Sequence, residues 1–592
     1  MEATLTYKIG IIGFGPKGFY GFERLIAYLK EVSIARTIEI HVFNNNRFFA
    51  AGDVYRLDQP DYLIMNYANR NINSWALLEP MPAVNSIPDF VSWLKSNGCP
   101  DAGLGEYAPR AVVGEYLVYC FKSVVEQLPK NIKVVTHIGL VTNVDKEEDK
   151  FKLTGSYKDL GNEFSLTCHN LLFTTGHSSF KSQLSDNFRT ENSIHFIYPT
   201  NKKLKHIAYN ATVAIKGFGL TAIDAILELT EGRGGVFKKN EKGILHYCPS
   251  GNEPKCIYPF SRTGLPMIPR NGSPTSNTIL HYLTEEVARN LRENGPVSFN
   301  STLLPLIKKE FYFAFYSVLF KTHGQELNYD EDFTVIENQV NYFHKDNPGS
   351  SVFNWETIIN PFINESVLSN VVLQVYIEFL INEAQLGDEK SPLMAAVAVW
   401  RKISPIFNQL YSFGGLDAAS HREFDTYYFG LFNRLAYGPP IKNMQKMLAL
   451  VKAGLLDFTY AKSATIKQND NDDNFILQLK DGEYTEINYL INATIQRGQE
   501  DGFKNELYQN LLRNGIIRRY ENKLNTCYRP GCLELNDKGH PIDSKGNAIT
   551  KISFYGTPTE GITFDNDTLS RTRNDFASTW AKSTCDAIVK GT

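Results

Sequence analysis

No stretch of this 592-residue chain reaches the ~18 uncharged apolar residues that a membrane-crossing helix requires. The nearest is Phe311-Tyr312-Phe313-Ala314-Phe315-Tyr316-Ser317-Val318-Leu319-Phe320, which is too short and reads as a buried aromatic helix. The N-terminus lacks a basic segment followed by an apolar run, so no signal peptide is expected and a cytoplasmic location follows. An excess of one charge is also missing. With 61 basic and 64 acidic residues the net charge is −3, which offers no field for nucleic acid or an anionic membrane. The eight cysteines form no CxxC, and no Cys/His set has zinc-ligand spacing, so no metal is expected. Cys527 and Cys532 are read as ordinary free thiols of a reducing compartment. No nucleophile–base pair or carboxylate dyad stands out either, which points to chemistry done by a cofactor.

What the chain does have is two glycine fingerprints. Gly13-Phe14-Gly15-Pro16-Lys17-Gly18 follows Lys8-Ile9-Gly10-Ile11-Ile12, and Gly217-Phe218-Gly219-Leu220-Thr221-Ala222 follows Ala211-Thr212-Val213-Ala214-Ile215-Lys216. Each comes after a short β-branched run and opens onto residues with helical periodicity. That strand–turn–helix context lets a backbone approach a pyrophosphate held at a helix N-terminus. One match would be weak evidence. Two in context predict an α/β enzyme that binds two dinucleotides.

Further elements fit that plan. Phe19–Leu29 reads as a helix, Ile38–Phe43 as the next strand, and Asn44 takes the place where an acidic residue commonly binds the adenosine ribose. Ala111–Gln127 reads as a helix, and Ile132–Val144 with Phe151–Thr154 as meander strands. Leu171-Leu172-Phe173-Thr174-Thr175-Gly176-His177 closes the first unit, and Tyr489-Leu490-Ile491-Asn492-Ala493-Thr494 echoes it. After the second fingerprint, Ile223–Leu229 continues helically with Asp224 and Glu228 on its polar side. Ser261 and Arg262 end a probable strand; Arg262 suits the 2′-phosphate of NADP, with a solvated loop arginine as the alternative. Residues 281–455 carry long helical runs such as Ser366–Glu383 and Pro392–Ile403, and strands resume at Phe458–Ile466 and Asn474–Leu479. The chain therefore divides into 1–205 and 498–592 for the first nucleotide domain, 206–280 and 456–497 for the second, and 281–455 as a mainly helical insertion and substrate lid.

These stretches resemble the FAD/NAD(P)-binding proteins of the two-dinucleotide flavoprotein superfamily, relatives of the flavin-dependent N-hydroxylating monooxygenases. The matching residues are Gly13–Gly18, Gly52–Tyr55 with Leu63–Asn66, Pro109-Arg110, Gly217–Asp224, Thr230–Gly235, Ser261–Pro266, Phe413–Leu416 with Ser420-His421, and Asn433–Pro440. The resemblance implies two Rossmann-like domains, one for FAD and one for NADPH, with the helical insertion inside the second. It implies that Gly13, Gly15, Pro16 and Gly18 cradle the FAD pyrophosphate, with Asn44, Thr175 and Gly176 nearby. Met65 and Asn66 would lie against the flavin and are the candidates for any catalytic contact. Gly217, Gly219, Leu220, Thr221 and Ala222, with Ser261 and Arg262, would hold NADPH. Asn44 departs from the usual acidic ribose ligand, and Thr174-Thr175-Gly176 from the commoner Ala-Thr-Gly closure.

The reaction so implied passes a hydride from NADPH to FAD, captures O2 as a C4a-hydroperoxyflavin, and hydroxylates the nitrogen of a small amine or amino acid, with aspartate as one guess. Arg401, His421, Arg422 and Arg434 are candidates for a substrate carboxylate, since guanidinium forks bind carboxylates bidentately, and Arg110, after Pro109, is a candidate flavin or substrate contact with a structural role as the alternative. Each arginine could equally sit in a structural ion pair, and His421 could be a satisfied core histidine. An NAD(P)H-dependent flavin reductase that inserts no oxygen, and a degenerate nucleotide-binding scaffold, remain as rivals. A homo-oligomer stays open.

Overall fold

The computed structural model describes residues 6–158, 161–176, 188, 190–273, 279–469, 473–494, 503, 505–524, 526–566, 568–571 and 573–590. The chain divides into two compact units. The first comprises Met1–Lys181, Tyr411–Arg422 and Gln496–Thr592; the second comprises Ser182–Leu410 and Glu423–Ile495.

The first unit is built on a seven-stranded sheet whose order, by range, is Ile552–Phe554, Asn170–Phe173, Tyr7–Ile12, Ile38–Asn44, Ile132–Glu147, Lys150–Tyr157 and Glu163–Cys168. The first five are mutually parallel, and the last two add an antiparallel meander. The parallel strands are near-continuous apolar runs because helices cover them. Helix Pro16–Lys30 lies on this sheet with Phe19, Phe22, Leu25 and Ile26 fully buried. The C-terminal helix Phe576–Lys590 packs beside it through Trp580, whose ring would lie 3.6 Å from a Cβ added at Gly21. The strand Ile552–Phe554 and this last helix thus return to the first unit. Tyr411–Arg422 groups there too: Phe413 N–H donates to Ile562 O at 2.8 Å, and the His421 ring packs on Tyr411 and Tyr528.

The second unit has a parallel sheet ordered Cys256–Phe260, Thr212–Lys216, Tyr489–Asn492 and Ser193–Ile194. A three-stranded antiparallel sheet, Thr465–Gln468, Phe475–Gln478 and Tyr484–Ile487, adjoins it in sequence. The expected strand Phe458–Ile466 is shorter than its apolar run suggests. The Asp457 carboxylate accepts the Thr459 N–H at 2.7 Å, a local turn that delays the strand to Thr465. Between the sheet's strands the chain is helical: Leu304–Thr322, Phe333–Asp346, Asn370–Leu386, Pro392–Tyr411 and Ile441–Lys452 are the longer helices. The aromatic run Phe311–Phe320 lies inside the first of these, with Phe311, Phe313, Phe315 and Phe320 buried. Among the described residues no helix is long and apolar enough to cross a membrane.

Candidate dinucleotide sites

Both glycine turns connect a strand to a helix, and they are wired alike. Gly13 N–H donates to Phe43 O (3.0 Å), at the end of the neighbouring strand, and Thr174 N–H donates to Ile12 O (2.8 Å). In the second unit Gly217 N–H donates to Phe260 O (2.8 Å), and Ala493 N–H to Lys216 O (2.8 Å). Gly13 (φ +88°) and Gly217 (φ +120°) occupy backbone conformations that side chains disfavour. A Cβ on Gly13 would come within 2.5 Å of Thr174 O, and one on Gly217 within 2.8 Å of Ala493 O. The two closing segments noticed in the sequence are therefore the walls against which the turns press. His177 lies outside the described residues.

Both helices begin in a form suited to an anion. Gly15 and Gly219 are the N-caps; neither helix has a side-chain cap or an acidic residue in its first turn. The first N–H groups of each helix, including those of Lys17 and Gly18 or Leu220 and Thr221, have no intrahelical acceptor, and the helix dipole adds positive potential there. Pro16 presets the first turn with no N–H to satisfy. Above Gly15 the nearest atom to an added Cβ is Gly52 Cα at 3.7 Å, and above Gly219 it is Met267 Sδ at 3.7 Å. These cradles fit two dinucleotide pyrophosphates.

Around the first cradle the packing is close. Gly18 is obligatory, because its Cβ would lie 2.5 Å from Gly13 O. Gly52 (φ +65°) approaches Gly15 Cα to 3.0 Å by the same measure, and a Cβ on Gly114 would overlap Tyr55 O at 1.9 Å. The Gly52–Tyr55 loop is thus clamped between the fingerprint and helix Arg110–Glu126. Asn44 ends its strand 7 % exposed, and its Nδ2 donates to Asn46 O, Asn46 Oδ1 and Phe48 O. An aspartate has no such donor, so the asparagine organises the loop that an acid could not. Met65 is buried and its N–H donates to Ala108 O (2.9 Å); Arg110 N–H donates to Leu63 O (2.8 Å), and Ile64 bridges Pro109. Met65, Asn66 and Arg110 are therefore brought together. Thr175 Oγ1 shares a 2.7 Å hydrogen bond with Tyr508 Oη, and Gly176 adopts a positive φ of +61°. Lys17 Nζ donates to Ser570 O (2.7 Å) and lies 4.5 Å from the centroid of Tyr555. Burial pushes the Tyr555 hydroxyl well above its ordinary pKa, so it stays protonated.

Beneath the first helix is a charge cluster that the sequence reading missed. Glu23 and Arg24 are fully buried and paired bidentately, at 2.9 and 2.7 Å. Arg571 reaches the same carboxylate at 3.0 Å, and Arg24 also donates to Pro80 O at 2.7 Å. One carboxylate thereby ties the fingerprint helix to two distant loops.

In the second unit Ser261 Oγ accepts the Gly264 N–H (3.0 Å), while Arg262 is exposed and donates to Thr426 O (3.2 Å). Both follow strand Cys256–Phe260, beside the strand that carries the fingerprint. Asp224 and Glu228, expected on a polar face, are instead buried. They accept from Tyr198 Oη (2.5 Å) and Thr200 Oγ1 (2.7 Å). Ala222 replaces the third glycine and is fully buried.

The carboxylate candidates are dispersed. Arg401 is paired with the buried Asp388 at 3.1 Å. His421 is fully buried in the first unit, with Nε2 2.8 Å from Tyr411 Oη. The neighbouring Arg422 is exposed, donates to Cys527 O and lies over the Tyr528 ring. Arg434, 7 % exposed, donates from Nη2 to Ile358 O (3.0 Å) and Ile359 O (2.8 Å), whereas its buried Nη1 has no acceptor among the described residues.

Residues 10–178 match the FAD-NAD(P)-binding family model. That match spans the first of the two cradles and marks that stretch as an FAD-NAD(P)-binding domain. Among curated relatives, it is 27 % identical to the nitrosuccinic acid synthase npaA of Aspergillus oryzae, over 95 % of this chain and 89 % of that one. It is 26 % identical to an L-aspartate N-monooxygenase (nitrosuccinate-forming) of Streptomyces cremeus, over 93 % and 90 %. Among solved structures, the ornithine hydroxylase PvdA of Pseudomonas aeruginosa aligns with a TM-score of 0.46 and 13 % identity, covering 98 % of this chain and 99 % of that one.

Proposed function

We propose that this protein is an FAD- and NADPH-dependent N-monooxygenase that oxidises the amino group of L-aspartate or a close dicarboxylic analogue. The observation that carries this reading is likeness along 93–95 % of the chain to two proteins named for oxidation at the nitrogen of aspartate or for its nitro product. Bound FAD would supply the redox chemistry, taking two electrons from NADPH and activating O2 for transfer to the substrate nitrogen. The protein's part is positioning. Gly13, Gly15 and Gly18 and the bare N-terminus of helix Pro16–Lys30 take the FAD pyrophosphate. Met65, Asn66 and Arg110 line the nearby segment, and Asn44 Oδ1, which accepts no hydrogen bond from the described residues, is left for a ribose hydroxyl. Gly217, Gly219 and the first turn of helix Leu220–Leu229 take the NADPH pyrophosphate, with Arg262 for the 2′-phosphate.

A dicarboxylic substrate needs a cation, and among the candidates Arg434 combines a buried Nη1 that meets no acceptor among the described residues with donation to backbone carbonyls only, whereas Arg401 is already paired with Asp388. Replacing Arg434 with alanine should raise the KM for aspartate by roughly 10- to 100-fold, the scale of one charge-assisted hydrogen-bond pair. The KM for NADPH should not move.

The deciding experiment incubates the FAD-loaded enzyme with NADPH and an amino-acid panel under isotopically heavy O2, followed by mass spectrometry. Labelled nitrosuccinate or N-hydroxyaspartate, formed only with aspartate-like substrates, is the expected product. Anaerobic turnover with an artificial acceptor, and no oxygenated product in air, would instead establish a reductase.

A further inference from the structure

Helix Asn370–Leu386 in the second unit is apolar on two opposite faces. Leu373, Ile377, Leu380, Ile381 and Ala384 are buried against their own unit. The other face presents Val372, Val375, Phe379 and Leu386, which are 39, 59, 46 and 51 % exposed, with Val371 at its edge at 69 %. Together with Asn382 these four repeat at spacings of three and four residues, the a/d alternation of a coiled-coil seam. The exposed positions of the helix are Val371, Val372, Val375, Phe379, Asn382, Gln385 and Leu386, all uncharged, and Glu378, which lies among them, is partly buried and paired with Lys452. A helix that is apolar all round is normally covered all round. The solvated helix Glu285–Glu293 of the same unit, by contrast, carries Glu285, Glu286, Arg289, Arg292 and Glu293.

We propose that this face is an isologous interface between two copies of the chain, formed by antiparallel pairing of helix Asn370–Leu386 with itself. The chemistry of the face selects this occupant. A membrane surface is disfavoured because the face has no lysine or arginine to meet lipid headgroups. With Glu378 neutralised by Lys452, the seam meets its own copy without unpaired like charges, and the Asn382 and Gln385 amides can both donate and accept across a two-fold axis. The rim is self-complementary as well. Glu378, near the middle of the seam, pairs with Lys452 at 2.8 Å while both stay about two-fifths exposed. A two-fold axis there brings each copy's Lys452 within reach of the other's Glu378. Ile363, 56 % exposed, follows Phe362, whose ring packs on Tyr376 beside the seam, and so extends the apolar patch. A specific dimer buries about 800 Å² per partner, and these side chains supply its dry centre. The inference is independent of the substrate.

The test is sedimentation velocity of the FAD-loaded full chain between about 1 and 50 µM, where a mass-action dimer should appear. The double variant V375E/F379E should be monomeric while keeping its flavin spectrum and NADPH oxidation. Glu378→Lys alone should weaken association by roughly 10-fold at low salt, and adding Lys452→Glu should restore it, as a self-complementary rim requires. If the double variant fails to fold, this charge-exchange pair decides. A wild-type monomer across the concentration range, or an oligomer indifferent to every one of these changes, overturns the proposal.

Discussion

In the first unit the glycine turn is enclosed: Gly18 touches Gly13 O, Gly52 presses on Gly15, Gly114 seats Tyr55, and Glu23, Arg24 and Arg571 lock the helix from below. In the second unit the same backbone wiring is present, but Ala222 stands where Gly18 does, and Arg262 at the neighbouring strand end is exposed. The two cradles therefore differ in their surroundings and not in their hydrogen bonds. Enclosure on several sides suits a cofactor that stays bound. An edge with one exposed guanidinium suits a cofactor that exchanges each turnover. That contrast can be broken at four places.

The largest effect is expected at buried carboxylates. Glu23→Gln leaves two guanidinium groups, on the fully buried Arg24 and the partly buried Arg571, without their counter-charge. Breaking such a pair costs about 3–5 kcal/mol, enough to unfold or de-flavinate the first unit. In the second unit Glu310, 1 % exposed, accepts the N–H groups of His281, Tyr282 and Leu283 at 2.6–2.9 Å and has no ion pair among the described residues. Burial raises its pKa. A glutamine oxygen can accept the same bonds, so Glu310→Gln should cost only about 1 kcal/mol. Denaturant melts of both variants check this; equal losses would refute the distinction.

Next come the first glycines. Gly13→Ala and Gly217→Ala each place a Cβ against a backbone carbonyl at positive φ, a strain of about 1–2 kcal/mol from conformation alone, before the steric clash. Gly13→Ala should purify colourless. Gly217→Ala should stay yellow and show a raised KM for NADPH. Visible spectra and steady-state kinetics separate the two outcomes, and loss of FAD in both would show that the cradles are not independent. A smaller effect belongs to Arg262→Ala: the KM for NADPH should rise roughly 10-fold while that for NADH is unchanged, as expected for one exposed phosphate contact. If both cofactors weaken equally, Arg262 is not the 2′-phosphate ligand.

Much of this architecture was legible in the sequence, because β-branched runs ending in G-x-G state both the strand and the turn. The equivalence of Thr174 and Ala493 was visible only as an echo; their role as walls depends on parallel pairing across the sheet. Gly52 showed only as part of the Gly52–Tyr55 resemblance and Gly114 gave no signal, since what requires a glycine at each is a chain segment far away in sequence. Glu23-Arg24 carries no local signal within the helical run Phe19–Leu29, and the third member of its cluster lies 548 residues from Glu23. The substrate arginines were the least legible. Residue type announced a cation, but only the fold shows that Arg401 already has Asp388 and that Arg434 keeps a bare Nη1.

The finest contrast is in acid response. On the first unit's sheet His41 Nδ1 lies 3.0 Å from His137 Nε2, and His137 Nδ1 lies 3.2 Å from Tyr157 Oη. His41 also faces Glu39, which Lys8 approaches at 3.6 Å, while Phe43 stacks on His137. Burial, and then the neighbouring His41, hold His137 down at about 4 from an ordinary 6.5. Burial lowers His41 too, against the pull of Glu39. Between pH 6.5 and 4 the unfolded chain takes up a proton that the folded sheet refuses. Stability from this pair is therefore complete above pH 6.5 and is lost as pH falls towards 4. Acidification should release FAD from the first unit at a lower melting temperature, read by flavin fluorescence. His137→Asn removes the titrating ring, so its melting temperature should fall less steeply with acid than that of the wild type. Parallel slopes for the two proteins would assign the acid sensitivity to other groups.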